Sequence, residues 1–402
     1  MRITFLVDNL PHPTLPLLTE HGLSMYIDQI TPNSSLLTPN SILCDMGASG
    51  AYFKNAKALG IDLNTCHWAF LSHAHADHTG GLGKWVAQYG HIPVYASHYI
   101  PTLQCFSSRP QKVTSHKSSF GHFDKLSDRI LLTESTKRLN DSTTKQQNTN
   151  SPHHQITASP EQSDLRYIGA DLNLFHGHTP WFKPIEQNTW LTPHIALVHP
   201  TCSTYPKPLG NKYLTAVASQ STTSTTKRLK LRLSESRRQT VTELVEVRLD
   251  YAEREQLHES EARINDSTTQ QQNTNSPHHP ITASPEQSEI DPFLHEIALC
   301  FVTPKGLVIV SCCSHHGALN TIASCMEFTG CNTLNAYIGG LHFVDSPEVE
   351  AETTSFISDW LRLYPNAQLY TGHCTCSKAA SLLQQHIPLC EIFHTGYQLD
   401  IT

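Results

Sequence analysis

The sequence predicts an α/β fold with strands inside and helices outside, a layered sandwich. Two patterns point there. Short apolar runs alternate with segments of helical spacing, and the residues capable of chemistry sit where the apolar runs stop. A third observation sets the scale: 402 residues with 38% hydrophobic content can bury a sizeable core, yet two polar stretches interrupt that core instead of extending it.

Taken in order, Ser41-Ile-Leu-Cys-Asp45 reads as a short strand ending in Asp-Met-Gly, and Cys66-His-Trp-Ala-Phe-Leu-Ser72 as a second strand. In the second half, residues 296–302 and 306–311 are strands flanking Thr303-Pro-Lys, the mark of a hairpin. Residues 318–328 and 351–363 have helical spacing, and each follows a strand.

The interruptions betray themselves by repetition. Residues 140–163 recur almost letter for letter at 265–288. The copies are polar and offer no apolar face to stack, which excludes a solenoid. Their Ser/Thr/Gln/Asn/Pro composition cannot offset the entropy of ordering the chain. Low-complexity insertions are therefore expected at 118–163 and 218–288, leaving one core assembled from 1–117, 164–217 and 289–402. The pairs His153/His154 and His278/His279 travel with the repeats and are not expected to bind metal. Phe123-Asp-Lys-Leu-Ser-Asp128 and Val241-Thr-Glu-Leu-Val-Glu246 can be written as opposite strands of one codon string, so both read as translated arms of an inverted DNA repeat.

A formal charge of -7 gives no basic field for a nucleic-acid backbone, which leaves a small molecule as the default partner. Twelve scattered cysteines lack the spacing of a disulfide scaffold and read as reduced thiols. No stretch is long enough to span a bilayer, and Met-Arg-Ile-Thr-Phe-Leu-Val-Asp turns acidic too soon for a secretory signal. A soluble, cytoplasmic protein is expected, with its oligomeric state left open.

Chemistry concentrates in Leu71-Ser-His-Ala-His-Ala-Asp-His-Thr-Gly-Gly-Leu82. His73, His75, Asp77 and His78 form His-x-His-x-Asp-His, and imidazole and carboxylate are ligand types suited to zinc and its first-row neighbours. A strand end followed by a tight turn can aim several such groups at one point. Three further strand ends carry His315, His342 and His373. Each alone reads as a structural histidine; together they supply the donors that a dinuclear site needs.

These motifs, with Leu43-Cys-Asp45-Met-Gly47, resemble the metallo-β-lactamase superfamily. Leu6-Val-Asp-Asn9, Glu20-His-Gly-Leu-Ser24, Asn55-Ala-Lys-Ala-Leu-Gly60, Cys313-Ser-His315, Gly339-Gly-Leu-His342 and His373-Cys-Thr375 are similar to the branch of archaeal dihydropterin ribofuranosylaminobenzene-phosphate synthases and their bacterial relatives. The likeness covers the chain outside the insertions. It implies a four-layer αβ/βα sandwich holding two divalent metal ions, zinc first, with manganese or iron as Lewis-acid alternatives. His73, His75 and His315 would bind one ion, and Asp77, His78 and His373 the other. Where the superfamily usually adds a bridging carboxylate, this chain offers Cys313 or His342; His342 is favoured as a site residue, and Cys313 is kept as the alternative, a packed thiol being its simpler account. Asp45 would orient a ligand histidine from behind.

The implied chemistry is hydrolysis of a small phosphoester or related ester: paired cations lower the pKa of a water, the hydroxide attacks, and Asp77 orients or deprotonates it as the catalytic residue. A transferase-like role in pterin or folate-type coenzyme assembly, and an inactive insertion-damaged homologue, are the alternatives. Arg109, Lys112, Lys207 and Lys212 are candidates for a phosphate, although scattered surface cations are the simpler account of them; Asn9 and His21 are candidates to line the pocket.

Overall fold

The computed structural model describes residues 1–28, 41–109, 165–218 and 289–401. The expected insertions 118–163 and 218–288, with their repeats and histidine pairs, lie outside the described residues except for Ala218, as does Lys112. One compact unit, Met1–Ala216 with Glu289–Thr402, holds nearly everything described; of the second, Val217–Ser288, only residues 217 and 218 are described.

Strands β1 (Arg2–Val7), β2 (Ser24–Asp28), β3 (Ser41–Cys44), β4 (Cys66–Leu71), β5 (Val94–Ser97), β6 (Leu103–Ser107), β7 (Arg166–Tyr167) and β8 (Phe182–Ile185) come from the first half. They are followed by β9 (Thr189–Thr192), β10 (Ile195–Val198), β11 (Leu214–Ala218), β12 (Glu289–Ile290), β13 (Ala298–Thr303), β14 (Gly306–Val310), β15 (Leu334–Ile338), β16 (Gln368–Thr371), β17 (Cys390–Ile392) and β18 (Gln398–Asp400). Among the described residues these form two seven-stranded sheets, ordered β18-β1-β2-β3-β4-β5-β8 and β17-β16-β15-β14-β13-β10-β9, and a small sheet β12-β11-β6-β7.

Period-two alternation explains how the large sheets pack. Val308 and Val310 of β14 join Leu299 and Phe301 of β13 against Ile42, Cys44, Trp68 and Phe70 of β3 and β4, in a core between the sheets. Leu307, Ile309, Ala298 and Cys300, one residue out of phase, face the other way. There they meet α4 (Ala318–Thr329), α5 (Val349–Leu363) and α6 (Ser377–His386), whose inward residues Leu319, Ile322, Cys325, Phe356, Ile357, Trp360, Ala379 and Leu383 fall at helical spacing. The helices of the first half are α1 (Ala51–Ala58), the single turn α2 (Ala76–Thr79) and α3 (Leu82–Tyr89). On the first sheet α1 rests against β1, and Phe53 stacks on Tyr89 of α3 with centroids 5.9 Å apart. Helix, sheet, sheet and helix make the expected αβ/βα sandwich. No described helix is long and apolar enough to cross a membrane.

The hairpin expected at Thr303 closes by pairing Thr303 with Gly306. Its first strand starts at Ala298 instead of residue 296, because the Glu296 amide donates to the Phe293 carbonyl and the Ile297 amide to the Ser72 carbonyl, outside the ladders with β10 and β14. Strands β3, β4 and β5 are parallel, as are β14 to β17, so within each sheet these strands end on one edge. Ligand groups placed after the last residue of such strands share that edge, where open α/β sheets bind their ligands.

Trp360 is fully buried where α5 meets the second sheet. Trp360→Ala should lower unfolding free energy by about 3–5 kcal/mol, read from the midpoint of urea denaturation.

Candidate metal centre

Where β4 ends, Ser72 to His78 turn back into α2, and the ring nitrogens of His73 and His78 are fixed from behind. The Ser72 amide and hydroxyl both donate to Asp45, at 2.7 and 2.6 Å. Since the hydroxyl proton is used there, the same oxygen accepts from Nδ1 of His73 at 2.8 Å. His73 is thereby held with its proton on Nδ1 and a bare lone pair on Nε2. His78 Nδ1 lies 2.6 Å from Oδ2 of the Asp45 carboxylate and is fixed in the same sense.

The second half repeats this logic with neutral acceptors. Asn211 donates from Nδ2 to the His315 carbonyl at 2.7 Å, which turns its Oδ1 towards His315 Nδ1 at 3.2 Å. Phe293 lies flat on the same ring, 4.3 Å away and 3° from parallel. Asn9 donates from Nδ2 to the His373 carbonyl at 2.8 Å and faces His373 Nδ1 with its Oδ1 at 3.2 Å. The backbone amide of His373 donates to Asp8 at 2.9 Å. The loop after β14 is gripped by Glu296, which accepts from the amides of His315 and His316 and faces His316 Nδ1 at 2.8 Å.

The result is a convergence of Nε2 atoms. Ring centroids of His73, His75 and His315 stand 4.7 to 5.0 Å apart, and ligand atoms from the three lie within 4.8 Å of one another. Their Nε2 atoms are buried without a hydrogen-bond partner, an arrangement that costs free energy unless something electrophilic sits among them. A second group adjoins it: His78 Nε2 is 3.0 Å from His373 Nε2, and Asp77 Oδ2 lies 3.7 and 3.5 Å from these two nitrogens. This donor set, five imidazoles plus one carboxylate, fits divalent metal ions.

Electrostatics agree. Burial pulls His75 down to about 4 and, together with neighbouring imidazoles, holds His73, His315 and His373 well below the ordinary histidine value, so all four stay neutral. Burial also works against charge on Asp77, but His78, His21 and His373 outweigh it and keep the carboxyl ionised. For His78 burial is outweighed by Asp77 and Asp45, which raise it to about 9. The negative field that retains a proton there is a field that would retain a cation.

Around the convergence opens a cleft of ≈ 250 Å³ whose lining includes His21, Arg109, His342 and Cys374 as well as Asp77 and His315. His342 leans on His315 with centroids 4.4 Å apart, and its buried Nδ1 lacks a partner. Thus His73, His75, Asp77, His78, His315 and His373 meet, His342 stands at the cleft wall, and Cys313 lies closer in, 3.1 Å from His78 Nε2. Of the cations suggested for a phosphate, Arg109 lines the cleft, whereas Lys207 and Lys212 are not among its lining residues.

Residues 37–113 match the family model of the Metallo-beta-lactamase superfamily. Tm1679, a metal-dependent hydrolase of the beta-lactamase superfamily, superposes with TM-score 0.56 at 18% identity, covering 100% of this chain and 99% of its own. The likeness to the superfamily is carried by that matched segment, and the solved structure adds a shared fold. A 90-residue stretch, 22% of this chain, is 36% identical to the 7,8-dihydropterin-6-methyl-4-(beta-D-ribofuranosyl)-aminobenzene-5'-phosphate synthase of Methanocaldococcus jannaschii. That match spans 30% of the curated relative's length. Zn(2+)-bound PqqB from Methylobacterium extorquens aligns far more loosely, with TM-score 0.40 at 10% identity over 100% of both chains.

The site also has a supporting layer that sequence reasoning missed. His295 accepts from the Ala74 amide through Nδ1 at 3.1 Å, so its proton is on Nε2, where Asp291 Oδ2 stands 3.0 Å away. The ring packs on both His73 and His75, and Cys105 closes the group. The signal was present in Asp291-Pro-Phe-Leu-His295-Glu296, two carboxylates and a histidine at a strand entry, but nothing local ties it to residues 73–75.

Asp45→Asn should keep the volume while losing the charge that fixes His78 and, through Ser72, His73. Zinc affinity should fall about 10- to 100-fold, measured by competition with a chromophoric chelator.

Proposed function

We propose that the chain is a metal-dependent hydrolase of small phosphoesters or related esters, working with two divalent ions, zinc foremost. The observation that carries this reading is the convergence of His73, His75 and His315 beside Asp77, His78 and His373, with four of the five imidazoles held Nε2-forward by an acceptor behind Nδ1. The first three would hold one ion and the second three the other. Bound there, such ions would supply an acidified water and neutralise charge developing on the ester oxygen.

The chain's own groups supply the rest. Asp77, ionised and open to the cleft, is positioned to take the proton of the attacking water. Asn9 donates to His21 Nδ1 at 3.1 Å, which leaves the His21 Nε2–H to face Asp77 Oδ2 at 3.4 Å. His21 thereby orients the carboxylate from the mouth of the cleft. Arg109 on the cleft wall offers a planar guanidinium to the non-bridging oxygens of a phosphoester. The small volume favours a compact substrate.

A second reading, a transferase-like step on a pterin-type compound, is favoured by the match to the archaeal synthase. Addition of a pterin separates the two, because a simple phosphoesterase gives no change in pterin fluorescence. An inactive homologue is opposed by the donor set itself, since His73 and His315 still meet from opposite sides of both expected insertions.

Full-length protein should contain two equivalents of zinc and turn over a phosphodiester or ester from a substrate panel, and a chelator should abolish that turnover. Asp77→Ala should lower kcat about 100- to 10,000-fold. Unchanged turnover in that variant would rule out the assignment.

A further inference from the structure

We propose that this centre carries a sulfur face: the thiols of Cys313 and Cys374 act as donors beside His373, forming a nitrogen-sulfur subsite for a soft divalent ion such as zinc, cadmium or cobalt. The inference rests on the metal-centre reading above and deepens it by naming the class of ion.

Cys313 follows β14 and Cys374 follows β16, on either side of β15 in one sheet. Ligand atoms of Cys313, His373 and Cys374 lie within 4.8 Å of one another, and Cys313 groups equally with His73 and His78. Cys313 thus stands between the two histidine sets. A thiol packed for volume alone would have apolar neighbours; this one has three imidazoles and a second sulfur.

Cys374 is prepared in two further ways. The His342 amide donates to its Sγ at 3.3 Å, which fixes the position of the sulfur. Room for the sulfur exists because residue 340 is glycine: a Cβ there would lie 2.3 Å from Cys374 Sγ. Of the neighbouring cysteines, Cys312 turns into the inter-sheet core, its Sγ 3.7 Å from that of Cys44, whereas Cys376 shares the cleft lining from the start of α6. Thiolate is a soft ligand, so a face with two of them favours zinc, cobalt or cadmium and disfavours manganese and magnesium. Each thiol releases its proton to solvent as the ion binds.

The test loads metal-free, full-length protein with cobalt(II). Sulfur ligation produces an intense thiolate-to-cobalt band in the near ultraviolet that nitrogen and oxygen donors lack. The band should appear, fall to about half in Cys313→Ser and in Cys374→Ser, vanish in the double variant, and survive in Cys376→Ser, as expected from ligand softness. Excess manganese should fail to remove it. Cadmium-113 NMR of the unsubstituted protein reads sulfur ligation without any variant, and a strongly deshielded resonance is expected. Cobalt bound with no such band, or a band indifferent to both substitutions, would overturn the sulfur face and leave the metal centre standing. Failure of the unsubstituted protein to bind cobalt at all would overturn both.

Discussion

The carboxylate of Asp45 is a fully buried charge, and the centre is organised around satisfying it. Taking such a group out of water costs several kcal/mol unless donors replace the lost hydration. Here the Ser72 amide, the Ser72 hydroxyl and His78 Nδ1 do so. Those bonds fix two imidazoles at once, His78 directly and His73 through the hydroxyl. The backbone of Asp45 is itself pinned on both sides, since its amide donates to the Phe70 carbonyl and its carbonyl accepts from the Ser24 hydroxyl. One acid therefore ties β2, β3 and β4 to the orientation of donors that follow β4.

Opposite this anion, the histidines that follow strands of the second sheet are held by side-chain amides instead of a carboxylate. Asn211 and Asn9 each clasp a histidine twice, by its carbonyl and by its ring. An amide holds the ring without adding another buried charge that would need its own donors. Both sheets deliver their donors to one edge because their central strands are parallel. Residues 78 and 315, distant in sequence, become neighbours through the inter-sheet core and not through any local motif.

Much of this was legible in the sequence. Apolar runs ending in histidine located β4, β14, β15 and β16, because strand periodicity and ligand chemistry are both local. The supporting residues were not legible. Asp291, His295, Glu296 and Asn211 act on groups that only tertiary packing brings near, and Glu296 resembled a strand residue until its carboxylate was seen to hold the amides of His315 and His316. Which of Cys313 and His342 stands further in also escaped sequence. Alternation governs side-chain direction only to the last strand residue, and Ser314, with φ 58°, turns the chain shortly beyond it.

Asp45, His342 and His373 share a further property: each has a left-handed backbone, with φ of 55°, 52° and 51°. A residue bearing a Cβ resists this conformation by roughly 1–2 kcal/mol, which glycine would avoid. Hydrogen bonds of the fold hold each bend: Phe70 and Ser24 at Asp45, Asp8 and Asn9 at His373, and Cys374 at the His342 amide. Folding free energy has thus already met the conformational cost that a flexible peptide would impose on its ligand, unlike small zinc domains that fold only on binding. An arriving ion needs to rearrange little, so affinity at such a centre reflects donor chemistry almost undiluted by backbone reorganisation. The same bends set stability against use, because glycine at 342 or 373 would relax the chain and delete the group for which it was bent.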